Sequence, residues 1–158
     1  MMRTFFAILL VTAGAALQAA LPVFAWLGGI RPEVLPALVA YFALSLKRPA
    51  AVVALAALAG LMHDSLSAAP FGVTVATFGA AAQVLWWLRD WLERGLPWVQ
   101  LVAGAFVSLV TGIVALTLIG VTAVAVVKLV WLALLNAVVA VVVFFALDYG
   151  RMQMGWDA

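Results

Sequence analysis

Residues 96–147 read LPWVQLVAGAFVSLVTGIVALTLIGVTAVAVVKLVWLALLNAVVAVVVFFAL, a run of 52 residues whose only charge is Lys128. A helix crosses a hydrocarbon core of about 30 Å with about 20 apolar residues. The run is too long for one crossing and too apolar for water, so it is read as two helices folded back on each other. Gly120-Val121-Thr122 supplies the turn, since glycine accepts backbone angles that end a helix. One membrane hairpin therefore fixes the solvent, and the rest of the chain is read in that solvent.

The composition agrees. Of 158 residues, 69% are hydrophobic and 9% are charged, with a mean hydropathy of +1.28. A soluble domain carries roughly 25% charged residues. The chain cannot present a polar surface and is expected to be an all-α integral membrane protein. It has no cysteine, which excludes disulfides, thiolate nucleophiles and cysteine-based metal sites together. A net charge of +2 is too small to suggest nucleic-acid binding.

Upstream, short charged or Gly/Pro breaks divide four more apolar runs. Thr4–Leu27 ends at GGIRPE, Val34–Leu46 ends at Lys47-Arg48-Pro49, and Ala50–Met62 ends at His63. Phe71–Leu88 closes with RDWLER. The expected helices lie at about 4–27, 33–46, 50–66, 71–88, 96–119 and 123–147, making one transmembrane domain over residues 1–158. The second and third are short: 13 residues rise only about 20 Å. The third reaches further if it continues through Leu66; otherwise HDSLSAAPFG is a re-entrant or interfacial loop.

Orientation follows from Lys and Arg, which concentrate in cytoplasmic loops. With six helices and a cytoplasmic N-terminus, the inner side carries Arg3, Lys47, Arg48, Arg89, Arg94 and Arg151, and the outer loops carry Arg31. Both termini are therefore expected in the cytoplasm, with His63–Ala69 facing outward. Trp26 at one level and Trp86, Trp87, Trp91 and Trp98 at the other fit interfacial aromatic belts. Arg3, an apolar core and ALQAA resemble a signal peptide, but the apolar run continues to Leu27, so this segment is read as a retained helix.

The polar interruption GLMHDSLSAAPFG, residues 60–72, holds the only histidine beside one of six acids. His63, Asp64 and Ser65 are triad residue types, but neighbours on a helix do not face one another. Metal binding needs several convergent ligands, and the chain has one histidine and no cysteine. No enzymatic activity and no cofactor are expected. Asp64 either caps the segment that follows, accepting from the amide of Ser67 or Leu66, or marks a partner or pathway, since acids at membrane depth are costly. His63 is expected to be an interfacial polar residue with nothing joined to it. Pro70-Phe71-Gly72 reads as the turn that opens the fourth helix.

Two faces of small residues bear on packing. Ala15/Ala19 and Ala16/Ala20 repeat at four-residue spacing in the first helix, and Gly104, Ser108 and Gly112 do so in the fifth. Such faces let helices approach closely in lipid, either within one chain or against another membrane protein.

The order RPEVLPALVAYFAL, a basic Pro break, then GLMHDSLSAAPFGVTVATF resembles the bacterial rod shape-determining MreD family. Gly60, Asp64, Pro70 and Gly72 stand in that family's Gly-x-x-x-Asp and Pro-x-Gly places, with Pro32, Pro36 and Tyr41 matching the earlier part. His63 stands where a bulkier apolar or aromatic residue is expected. The motifs cover roughly residues 31–78. The resemblance implies a non-enzymatic, multi-pass subunit of the inner-membrane cell-elongation machinery. It would associate laterally with MreC, and through it with MreB, RodA and a class B penicillin-binding protein, supporting peptidoglycan synthesis. The alternative is the substrate-binding subunit of an energy-coupling-factor vitamin transporter, a similar six-helix fold that docks its partner through an alanine-spaced first helix. A vitamin pocket needs convergent polar groups, and this chain offers few.

Overall fold

A computed structural model of the chain describes residues 2–25, 29–67, 70–120 and 122–153. Trp26 of the expected aromatic belt, Ala68 and Ala69 of the expected outward loop, and Val121 of the expected turn lie outside these residues. Six helices follow in order: α1 (Met2–Ala20), α2 (Leu35–Ser45), α3 (Pro49–Leu66), α4 (Val73–Leu88), α5 (Pro97–Ile119) and α6 (Ala123–Gln153). Among the described residues, three segments, Pro49–Leu66, Pro97–Leu118 and Ala123–Gln153, are long and apolar enough to cross a membrane. On the outside of α6, Val127, Val130, Trp131, Leu134, Val138, Val142 and Phe145 are all exposed. A contiguous apolar surface of this kind is foreign to a monomer in water and ordinary in lipid. The chain is an all-helical membrane protein.

Prolines set several helix boundaries. Pro49 and Pro97 occupy the first positions of α3 and α5, where a missing N–H costs nothing. Pro22 has the opposite effect. It disfavours helical geometry at Leu21, so α1 stops at Ala20 and not at Leu27 as the apolar run suggests. The chain then makes a small loop in which Phe24 and Ile30 pair as an isolated antiparallel bridge, with the amide of Phe24 donating to the carbonyl of Ile30 at 2.8 Å. At the other end, α6 runs six residues past the expected Leu147, carrying Asp148 and Arg151 on its last turns. Charge at a membrane boundary does not break a helix, so the first charge was a poor marker of its end. α4 starts at Val73, two residues later than expected, because Gly72 adopts φ +96° immediately before it.

α2 is the axle of the bundle. It packs against each of the other five helices, and every residue from Leu35 to Leu44 is buried. Its 11 residues span only about 16 Å, roughly half a hydrocarbon core. A helix this short is tolerable at membrane depth only where protein surrounds its ends, because lipid offers no hydrogen bonds to free amides and carbonyls. Leu35, Leu38 and Phe42 of α2 meet Val11 of α1, Val52 and Leu55 of α3, Phe78 and Leu85 of α4, Val107 of α5 and Phe144 of α6 in one apolar core. The Tyr41 ring stands edge-on to Phe144 with centroids 5.1 Å apart. α3 pairs most extensively with α4, and α5 with α6.

Candidate functional site

The two ends of α2 are where the polar residues gather. At its N-terminal end the amides of Glu33, Val34 and Leu35 have no helical acceptor. Two buried side-chain amides from distant helices take them up. Gln18 of α1 accepts from Val34 and Leu35 through Oε1, each at 3.0 Å. Asn136 of α6 accepts from the Glu33 amide through Oδ1 at 2.9 Å. The Asn136 Nδ2 group donates to Glu33 Oε2 and to Ser108 Oγ of α5, both at 3.0 Å. Asn136 is completely buried.

Glu33 carries the cluster on to α3. Its Oε1 lies 3.2 Å from His63 Nε2, and His63 Nδ1 lies 3.5 Å from Thr74 Oγ1 on α4. The imidazole also meets Phe78 edge-on at 5.6 Å. His63 therefore has partners on three sides, against the expectation of an isolated interfacial residue. Glu33 reached it from a loop 30 residues away, which spacing along the chain does not reveal.

Asp64 is a cap, but not the one expected. Its Oδ2 accepts from the Gly72 amide at 2.7 Å and its Oδ1 from the Thr74 amide at 3.2 Å. Ser67 donates instead to the Asp64 backbone carbonyl. The carboxylate sits, 4% exposed, on the positive N-terminal end of α4, where an anion is favoured by the helix dipole. α3 does continue through Leu66, so Asp64 is on its last turn and reaches across the loop to the next helix. Gly72 turns the chain into α4 in a left-handed conformation, and the preceding Pro70 is exposed. Gly60, one turn below Asp64, lets the two helices touch: a Cβ there would stand 2.5 Å from Val75 Cα and 2.7 Å from Val75 N. The Gly-x-x-x-Asp and Pro-x-Gly pieces are thus one mechanical unit, with Gly60 setting the α3–α4 distance and Asp64 locking the start of α4.

A second polar centre closes the other end of α2. Arg89 donates to the Leu46 carbonyl at 2.8 Å, and Arg94 to Ser45 Oγ at 2.8 Å. Arg94 also pairs with Asp148 of α6 at 3.3 Å. Asp148 accepts from the Tyr41 hydroxyl at 3.0 Å, and Arg151 reaches the same hydroxyl at 3.4 Å. Cations at a helix C-terminus complement its unpaired carbonyls. The lone amides Gln18 and Asn136 inside apolar runs, and the acid Asp148 that closes the last one, are the sequence signal that would have found both centres.

The small-residue faces separate. On α1 the buried stripe is Ala7, Val11, Gly14, Ala15 and Gln18, while Ala16, Ala19 and Ala20 are exposed. On α5, a Cβ at Gly104 would run into Ala140 Cβ, and one at Gly112 into Leu129. Ser108 is buried and bonded to Asn136. The α5 face is therefore covered by α6 of the same chain and is not open to another protein.

Among the described residues no group of three or more His, Cys, Asp or Glu side chains is placed to hold a metal ion. Comparison with protein families, with curated proteins and with solved structures finds no match to the chain.

Proposed function

We propose that the chain is a non-enzymatic scaffold subunit of the bacterial cell-elongation complex, similar to the MreD family, and that it works by lateral helix contacts with MreC in the inner membrane. In this reading all six helices lie in the bilayer, both termini are cytoplasmic, and the α3–α4 loop faces outward. The observation that carries the reading is how the motif residues are used. Both carboxylate oxygens of Asp64 are taken by backbone amides, and both oxygens of Glu33 by His63 and Asn136. Groups committed to one another hold helices in place and are not aimed at a substrate. A vitamin-binding subunit would need polar groups left convergent and free.

The exposed Ala16, Ala19 and Ala20 on α1 give a flat strip at which a partner's transmembrane helix can approach closely. The test is co-purification. Ala16→Leu/Ala20→Leu is expected to abolish recovery of MreC while the protein remains in the membrane. Full recovery of MreC with the double variant would remove the α1 docking claim. Orientation is tested separately, because the chain has no native cysteine. Cysteines placed singly at Ser65 and Lys47 should react with an impermeant thiol reagent from opposite sides of the membrane, and labelling of both from one side refutes the topology.

A further inference from the structure

We propose that the α2 C-terminal end of the bundle is a docking surface for anionic phospholipid head groups, centred on Lys47 and Arg48. The inference needs only that the chain sits in a bilayer, so it stands apart from the MreC reading. Three segments meet here: the α2–α3 loop with Lys47 and Arg48, the α4–α5 loop from Arg89 to Arg94, and the last turns of α6 with Asp148 and Arg151. They are tied together by the Arg89–Leu46, Arg94–Ser45, Arg94–Asp148 and Arg151–Tyr41 contacts. Five cations therefore share one end with three acids, Asp90, Glu93 and Asp148. Asp90 lies against Arg89 and Asp148 against Arg94. Lys47 and Arg48 are exposed, on the loop whose preceding carbonyl Arg89 grips. The opposite end has Arg31 and Lys128 against Glu33 and Asp64, two charges of each sign, so among the described residues the positive surplus belongs to this end.

The exposed tryptophans at this end of the bundle suit a lipid better than an acidic protein. Trp87, Trp91 and Trp98 are 74%, 88% and 55% exposed on the α4–α5 connection and its flanks. Indole rings placed beside cations at a helix end are the arrangement that anchors at the head-group level of a bilayer. The Arg89 guanidinium lies 4.6 Å over the ring of Trp86, which fixes the α4 end against the α2–α3 loop that Arg89 also grips. Lys47 and Arg48 are the exposed cations of this end, and a phosphodiester supplies acceptor oxygens together with the missing negative charge.

The test places the full chain in phosphatidylcholine vesicles containing rising fractions of brominated phosphatidylglycerol, and reads quenching of the intrinsic tryptophan fluorescence. Phosphatidylglycerol is expected to quench at lower mole fraction than equally brominated phosphatidylcholine. Each cation near a membrane surface is worth about fivefold in anionic-lipid affinity, so Lys47→Gln should lower the preference about fivefold and Lys47→Gln/Arg48→Gln about twenty-fivefold. Arg31→Gln at the opposite end should leave it unchanged. Should the double variant not reach the membrane, Lys47→Gln alone decides. Equal quenching by both lipids overturns the proposal, and so does a preference that survives loss of the cations. Displacement of the lipid by millimolar inorganic phosphate at constant ionic strength overturns it too, since the surface would then be a general anion site.

Discussion

Asn136 and Glu33, 103 residues apart, are joined twice: the Asn136 carbonyl oxygen accepts the Glu33 backbone amide and its NH2 group donates to the Glu33 carboxylate. One side chain of α6 thus caps the start of α2 and holds the carboxylate that reaches His63. In lipid such a link has no water to replace it, although measured side-chain hydrogen bonds between membrane helices average only about 0.6 kcal/mol. Asn136→Leu removes three contacts and strands the Glu33 amide. The expected loss is about 1–3 kcal/mol, the cost of leaving a buried polar group unpaired. Unfolding in detergent by a graded denaturant measures it, and a variant as stable as the parent would show that the cap is dispensable.

Asp64 gives a graded series. Asp64→Ala deprives the Gly72 and Thr74 amides of their acceptor, and loss of an N-terminal cap costs about 0.5–2 kcal/mol. Asp64→Asn keeps one acceptor oxygen and should fall between parent and alanine. His63→Ala, which removes one contact to Glu33 and one to Thr74 at a site 12% exposed, should cost less than Asp64→Ala. Cellular abundance and detergent unfolding check the order. If His63→Ala is the most damaging of the three, the imidazole has a role beyond holding Glu33.

The number of helices was legible because lipid imposes a length rule that composition alone reveals, and the turn near Gly120 followed from it, whereas the length rule left open whether α3 stops at Met62 or continues to Leu66. The site was only half legible. Gly60 and Asp64 are close in sequence and act on the next helix, so local spacing carries the signal. Glu33, Asn136, Gln18 and Thr74 come from four segments, and nothing in a single sequence says that α6 returns beside the start of α2. The end of α1 was misread for a local reason: an apolar residue count overlooked Pro22. The α5 face shows the converse limit, since a small-xxx-small stripe has the same sequence whether it meets its own α6 or another protein.

Gly60 and Gly79 make a paired prediction, because both lie in helices of the α3–α4 pair but meet different surroundings. A Cβ at Gly60 runs into the Val75 backbone, which cannot move aside like a side chain, whereas one at Gly79 meets nothing within 4 Å. Gly60→Ala should force α3 and α4 apart and cost about 1–3 kcal/mol, as overpacking does. Gly79→Ala should be neutral or stabilising by up to about 1 kcal/mol, the helix-propensity difference. Thermal unfolding of the two variants in one detergent compares them directly. Equal effects would mean that the α3–α4 contact is not set by Gly60.

The last prediction concerns the Tyr41 hydroxyl, which donates to Asp148 and lies 3.4 Å from Arg151 at the closed end of α2. Tyr41→Phe keeps the ring against Phe144 and removes only the oxygen. Asp148 still has Arg94 at 3.3 Å, so its charge stays compensated, and the loss should be limited to about 0.5–1.5 kcal/mol, that of one hydrogen bond. Arg94→Gln differs in kind: it takes away the cation paired with Asp148 and the donor to Ser45. Because the carboxylate is still about a third exposed, water relieves part of that cost, and a further loss of about 1 kcal/mol over Tyr41→Phe is expected. The two changes share Asp148, so the double variant should cost less than the sum of the singles if the three groups act as one network. A double-mutant cycle measured by denaturant unfolding reads this coupling, and strict additivity would separate the tyrosine from the ion pair.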